Sequence, residues 1–262
     1  ACNPPDNIFL IGIFYKLFGV KFIFDHHDLV PEQYLTKFGR KDFLYKVLLI
    51  LEKLTFRLAD ISIATNNSYK EMAIQRGGMN PEKVFIVRNG PELDKFKKVP
   101  AKKSLKYGKK FLVGYIGVMG KQEGIDLLLE TIGYIVRKKE RKDIHFTCIG
   151  KGPSLNYLRK LSENMNLSSY INFTGFIPDK EVLEVLSTTD VCVNPDTPCE
   201  FNDKSTMIKI MEYMALGKPI VQFDLKEGRF SAQEASLYAK KGSVKDFSEK
   251  ILMIINKGRI QA

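Results

Sequence analysis

From residue 111 onward, short apolar runs alternate with longer stretches in which apolar residues recur every three or four positions. The runs 111–117, 144–149, 171–174, 191–195 and 219–223 read as strands, and 123–138, 154–165, 179–188 and 205–216 read as helices between them. A parallel neighbour needs a crossover, so regular alternation predicts a parallel sheet covered by helices on both faces. A further helix spans 243–256. The earlier part is sparser: a helix over 6–18 opened by Asp6 or Asn7, a strand at 21–25, a helix over 41–59, and a strand at 60–64. A helix then runs from Asn66 or Asn67 to Gly77 and Gly78, and a strand spans 83–87. The pattern divides the chain into 1–95, a lysine-rich linker 96–110, and 111–262.

Within this scheme the stretch 200–224 stands out: the strand at 191–195 runs into a polar loop, and a helix and the strand at 219–223 follow in close succession. Asp203 or Ser205 is placed to cap the helix, and Gly217 followed by Pro219 stops it. Met207, Ile210, Met211 and Met214 form one apolar stripe able to lie on a sheet, with Ser205, Lys209 and Glu212 on the opposite face. Free N–H groups at Ser205 and Thr206 can hold a phosphate, Lys209 lies one turn on, and Glu212 can accept hydrogen bonds from sugar hydroxyls. A nucleotide sugar presents those groups in that order. The plainer reading is an amphipathic helix with a solvated polar face.

Several strand ends carry loops of the same character. Gly117 to Gly124 includes Gly117, Gly120 and Lys121, where glycines let backbone N–H groups approach an oxyanion. Gly150 and Gly152 follow the second strand, with Lys151 read as exposed, and Ile177 follows the third. Near the start, Asp25-His26-His27-Asp28 closes a strand. In open α/β sheets ligands gather outside the carboxyl ends of strands, which is where these polar clusters fall. The histidines can equally be core or loop-capping groups. A metal site from these four side chains lacks further ligands to complete a shell, so no metal is expected.

Composition narrows the classes. The chain has 262 residues, 44% hydrophobic and 27% charged, enough for one large or two small domains with a sizeable core. The net charge of +11 is concentrated in Lys95, Lys97, Lys98, Lys102, Lys103, Lys106, Lys109 and Lys110. Few aromatics interleave these lysines, so a solvated linker is favoured over a nucleic-acid surface, while attraction to anionic lipid headgroups stays open. Cys2, Cys148, Cys192 and Cys199 have no paired spacing and read as reduced thiols of a cytoplasmic protein. No run reaches the roughly 18 apolar residues of a membrane span. The first residue is Ala1 rather than Met, which suggests a piece of a longer chain.

The motif KSTMIKIMEYMALGKPIV, and within it EYMALGKPIV beginning at Glu212, resembles the second glutamate region of the retaining nucleotide-sugar glycosyltransferases with two Rossmann-like domains, the GT-B fold. Arg88-Asn89-Gly90 resembles that family's turn out of the first domain, Ile149 to Pro153 its glycine-x-glycine-proline turn, and Phe173 to Pro178 the segment beside the base. The family usually has an acid where this chain has Lys204, with Glu200 and Asp203 nearby in the loop. It usually has an arginine and a lysine where this chain has Val118 and Glu123. The resemblance implies an α/β protein of GT-B type with parallel sheets, its N-terminal domain incomplete and its C-terminal domain holding the nucleotide sugar. It implies sugar transfer, with retention, from a nucleoside diphosphate sugar to a hydroxyl of a sugar or lipid-linked acceptor, in cell-surface polysaccharide or glycolipid synthesis, with no cofactor and no nucleic-acid partner. His27 would face donor sugar or acceptor. Gly117, Gly120, Lys121, Gly150, Ile177, Ser205, Thr206, Lys209 and Glu212 would bind the donor. A donor-binding remnant serving as a regulatory subunit, or a nucleotide-sugar epimerase of the same architecture, are the alternatives.

Overall fold

A computed structural model describes residues 1–260. In chain order its elements are α1 (Phe9–Lys16), β1 (Ile23–His26), α2 (Val30–Phe38), α3 (Phe43–Leu58), β2 (Ile61–Ala64), α4 (Asn67–Gln75) and β3 (Val84–Ile86). Then come β4 (Phe111–Ile116), α5 (Ile125–Arg137), β5 (Ile144–Ile149), α6 (Leu155–Asn164), β6 (Ile171–Gly175), α7 (Asp179–Thr188) and β7 (Val191–Asn194). The last are α8 (Glu200–Lys204), α9 (Ile208–Ala215), β8 (Ile220–Phe223), α10 (Lys226–Ala232), β9 (Ser236–Ala239) and α11 (Val244–Ile260). They form two compact units, one of residues 1–89 with 199–206, the other of 90–198 with the chain from 207 on.

In the first unit β1, β2 and β3 pair in parallel in that order, and Phe22, Phe24, Phe56, Tyr69 and Val84 pack into its core. Asn66 caps α4 as expected, its side chain accepting from the Tyr69 N–H at 2.8 Å, and Asp42 caps α3 by accepting from Tyr45. Asp6 does not cap α1. The helix starts later, after Ile8, and Asp6 is buried, accepting from Asn3 Nδ2 at 2.8 Å, with burial pushing its carboxyl up to about 6. The sequence pattern did not foretell α2, which begins with Pro31 in its first turn and ends at Gly39 in the left-handed region.

In the second unit six parallel strands lie in the order β6-β5-β4-β7-β8-β9. Numbered within this sheet alone the order is 3-2-1-4-5-6, the doubly wound arrangement, and it reverses between β4 and β7. β4 is apolar along its length because helices cover both of its faces. The largest core lies between the sheet and α5, α6 and α11, where Phe223 and Phe247 pack ring against ring at 4.7 Å. Burying side chains of that size stabilises by about 1.5–3 kcal/mol each. Lys218 donates to the carbonyls of Ser187 (2.5 Å) and Thr189 (2.8 Å), satisfying the C-terminal end of α7.

Two expectations change here. The lysine-rich segment is not a free linker: Val99 and Lys102 N–H groups donate to Ser187 Oγ and Thr188 Oγ1, Lys106 pairs with Asp190 at 2.8 Å, and Phe96 and Leu105 pack on the core. The second unit therefore takes in the chain from Gly90. The helix expected over 205–216 is shorter, α9 alone, which starts at Ile208 in the second unit, and the polar loop expected before it holds a helix of its own, α8, in the first unit. α10 and β9 extend the fold beyond the expected strands. β9 is short and half-exposed, so it lacks the apolar run that marks a buried strand. Among the described residues no helix is long and apolar enough to cross a membrane.

Candidate functional site

The reversal between β4 and β7 opens a crevice at the carboxyl ends of these strands, and the loops around it are laced by backbone hydrogen bonds. The Gly117 N–H donates to Ile149 (3.0 Å), Met119 to Lys151 (2.9 Å), Ser154 to Met119 (2.8 Å), Gly150 to Gly175 (2.9 Å) and Thr197 to Gln122 (2.9 Å). The loops after β4, β5, β6 and β7 thus share one rim. They approach so closely that side chains are excluded. Gly150 has φ +133°, and a Cβ there would stand 1.9 Å from the Gly117 carbonyl oxygen. Gly150→Ala is expected to destabilise by at least the roughly 1–3 kcal/mol of left-handed strain, and to weaken any ligand held by the Gly117 loop. Urea unfolding measures the first effect; a loss under about 0.5 kcal/mol would show that the rim yields freely. Beside the rim lies a cavity of about 420 Å³ lined by Gly120, Lys121, Asp126, Ser154, Tyr157 and Thr197.

Lys209 does not face solvent. On α9 the buried positions are Lys209, Ile210 and Tyr213, while Met214 of the expected apolar stripe is 39% exposed. The Lys209 ammonium lies 2.7 Å from Glu123 Oε2 and 2.9 Å from Asp196 Oδ1, with the Tyr115 hydroxyl at 3.4 Å. Two carboxylates supply the charge that makes burying an ammonium tolerable, and that is why the lysine turns inward. Burial raises the Asp196 carboxyl and Lys209 opposes this; the facing carboxylates hold the Lys209 ammonium protonated well above its usual range. Tyr115 also donates to the loop, its hydroxyl lying 3.1 Å from the Val118 carbonyl and 2.9 Å from Glu123. A Cβ on Gly117 would come within 3.5 Å of Lys209 Nζ, so the buried cation sits directly beneath the glycine loop.

Tyr213 is a second residue that the sequence did not single out. Its hydroxyl accepts from the Ile116 N–H at 3.0 Å and donates to the Val193 carbonyl at 3.3 Å, stapling the ends of β4 and β7 where the strand order reverses. Asp196 and Glu123 were also missed as a pair. A signal existed: both follow strand ends, and Glu123 stands where the resembling family usually has a lysine.

Gly117, Gly120, Lys121 and Gly150 lie on the rim as expected, Lys121 exposed in a short 3-10 turn. Ile177, after β6, packs partly on the core, and Lys151 is exposed over the Phe176 ring at 5.0 Å. Glu212 is half-buried on α9, its carboxyl raised by burial against the opposing Lys209 charge. Ser205 and Thr206 do not form the first turn of α9, which begins at Ile208 after an uncapped Met207. They belong to the first unit, where Ser205 Oγ donates to Phe201 at 2.7 Å and meets Tyr69 Oη at 3.2 Å, and Asn66 Nδ2 donates to Thr206 Oγ1 at 3.0 Å. These bonds draw the chain out of the helical path. Lys204, at the position of the usual acid, pairs with Glu200 at 2.6 Å. His26 is fully buried among Phe24, Phe56 and Tyr69, and burial lowers its imidazole to about 3, whereas His27 is half-buried and 3.0 Å from Asp25.

The sequence pattern of the family described as Glycosyl transferases group 1 matches residues 110–257, more than half of the chain. The chain belongs to that family. The matched residues lie mostly in the second unit. Among curated relatives it is 25% identical to the phosphatidylinositol N-acetylglucosaminyltransferase GPI3 subunit of Saccharomyces cerevisiae over 178 residues, 66% of this chain and 37% of the relative. It is 24% identical to the putative colanic acid biosynthesis glycosyltransferase WcaL of Escherichia coli over 63% of this chain and 40% of that one. The chain thus spans about two fifths of the length of either relative. Among solved structures it resembles Anabaena HepE in complex with UDP and glucose, with a TM-score of 0.76 at 17% identity, covering 95% of this chain and 65% of that one. The fold is accordingly the α/β, parallel-sheet GT-B type.

Proposed function

We propose that this glycosyltransferase moves a sugar, with retention, from a nucleoside diphosphate sugar to a hydroxyl of a sugar or lipid-linked acceptor in cell-surface polysaccharide or glycolipid synthesis. The observation that carries the reading is the glycine-lined crevice at the strand reversal, with the exposed Lys121 on its rim and the half-buried carboxylate of Glu212 on α9. That HepE was solved with UDP and glucose, and that relatives are named for phosphatidylinositol and colanic acid chemistry, supports the donor and acceptor classes.

In this reading backbone N–H groups of the Gly117–Gly120 turn and the exposed Lys121 hold the diphosphate, and Lys209, whose charge Glu123 and Asp196 balance, supports that turn from beneath. The departing charge is neutralised by these groups rather than by a metal ion. Glu212 accepts from the ribose hydroxyls, Gly150 and Ile177 border the base, and His27 contacts donor sugar or acceptor. The lysines between 95 and 110 that stay exposed are available to anionic lipid headgroups at the inner membrane face, with the enzyme itself cytoplasmic.

Isothermal calorimetry with UDP-sugars tests the donor site. Glu212→Ala is expected to weaken donor binding by about 10–100-fold, the loss of charge-assisted hydrogen bonds. Unchanged affinity in both Glu212→Ala and Lys121→Ala would overturn the assignment. A donor-binding, non-transferring protein is the second reading, favoured by the ion pair that Lys204 makes with Glu200 in place of the usual acid. Release or transfer of labelled sugar by the protein separates the two, and a sugar inverted at a ring carbon but still attached to the nucleotide would indicate an epimerase.

A further inference from the structure

The end of β1 brings together side chains that are far apart in sequence. Residues 1–3 run beside the strand: the Asp25 N–H donates to the Ala1 carbonyl at 2.7 Å, the Asn3 N–H to the Asp25 carbonyl at 3.3 Å, and Cys2 bridges to Asp25 in parallel. The buried Asn3 side chain locks the turn that follows. Its Oδ1 accepts from the N–H groups of His27 (2.8 Å) and Asp28 (3.2 Å), and its Nδ2 donates to Asp6 and to the Asp28 carbonyl (2.7 Å). Held on this frame, the Cys2 sulfur, an Asp25 carboxylate oxygen and an imidazole nitrogen of His27 all lie within 4.8 Å of one another. His27 Nε2 is 3.0 Å from Asp25 Oδ2. Cys2 is exposed and the other two are half-buried, so an ion and a water molecule can reach them.

Thiolate, imidazole and carboxylate are the donor types that zinc takes in tetrahedral sites. With metal–sulfur bonds of about 2.3 Å and metal–nitrogen or metal–oxygen bonds of about 2.0 Å, tetrahedral donors stand roughly 3.3–3.5 Å apart. The His27–Asp25 pair at 3.0 Å is slightly inside that range, and the Cys2 sulfur lies within 4.8 Å of both. The geometry points to a binding site for Zn²⁺, or a like divalent transition-metal ion, built from Cys2, Asp25 and His27 at the carboxyl end of β1, with the fourth position left to water. Asp28, next along the chain, adds negative charge beside it. Binding releases the Cys2 thiol proton to solvent and takes the lone pair of one His27 nitrogen.

The inference does not depend on the transferase reading, and its test uses no nucleotide sugar. Co²⁺ is titrated into the full chain in the absence of chelators and followed by absorption. The parent is expected to show thiolate-to-Co²⁺ charge transfer in the near ultraviolet with visible bands of tetrahedral intensity, both displaced by one equivalent of Zn²⁺. Cys2→Ser removes the charge transfer, and His27→Gln and Asp25→Asn weaken binding by about tenfold or more. Cys199→Ser, which alters the other partly accessible thiol, leaves the spectrum unchanged. Absence of a thiolate band in the folded parent, or a band that survives Cys2→Ser, would overturn the assignment. Circular dichroism melts without metal confirm that each variant is folded.

Discussion

Lys209→Met destabilises the second unit by about 3–5 kcal/mol, the cost of stranding buried charge when one partner of an ion pair is removed. Asp196, 1% exposed, and Glu123 are left facing each other without a cation. The effect carries a pH signature whose sign follows from Asp196. Burial with Lys209 present has already raised its carboxyl to about 6, above the 3.8 of an unfolded chain. A group raised in the folded state gives stability that is full below the unfolded value and is lost as pH rises through the folded one. Without Lys209 the carboxyl rises further, and once protonated it no longer needs a counter-charge. The difference between parent and Lys209→Met therefore shrinks from pH 8 to pH 5. Urea unfolding at the two values checks it. A difference below about 1 kcal/mol at pH 8, or one that grows on acidification, would mean that the cluster is hydrated and cheap to break. The same variant loosens the Gly117 loop, since Tyr115 then holds the Val118 carbonyl without its ionic neighbours.

The second large effect lies in the first unit. Arg76, at the end of α4, donates to both oxygens of Glu32 and to Glu52 Oε1 at 2.6 Å, and these acids are 3% and 1% exposed. Arg76→Met leaves two interior carboxylates uncompensated and costs about 3–5 kcal/mol. Burial has raised the Glu52 carboxyl to about 7 even with the guanidinium present, so its stabilising contribution is full below 4.5 and lost as pH rises through 7. Removing Arg76 moves that window upward, and the loss is greatest at pH 8 and above. Replacing all three by Arg76→Met, Glu32→Leu and Glu52→Leu restores most of the stability, because the interior then holds no charge to compensate. Unfolding of the single and triple variants, followed by circular dichroism in guanidinium, distinguishes a stranded charge from a simple packing defect, which the triple would not repair.

Both clusters show where sequence reading stopped. The alternation of apolar runs and helical stripes was enough to place β4 through β8 and the helices between them, since burial on a sheet imposes those periods on any chain that folds this way. Loops after strand ends were legible as candidates for the same reason, and the motif around Glu212 pointed to the family that the match over 110–257 bears out. The period of α9 was misread because a helical stripe is judged by apolar residues. Lys209 joins the buried face only because Glu123 and Asp196, 86 and 13 residues away, meet it there.

Periodicity and motif sufficed for the α/β class, the number and order of most elements, and the family. The strand order that opens the crevice between β4 and β7, the assignment of Cys199–Thr206 to the first unit, and the inward turn of Lys209 emerged with the folded chain. So did the placing of Cys2 beside Asp25 and His27. A repeat of apolar residues records which side of an element meets apolar surroundings. Pairings between distant charges, hydroxyls and strand edges exist only after the chain has folded.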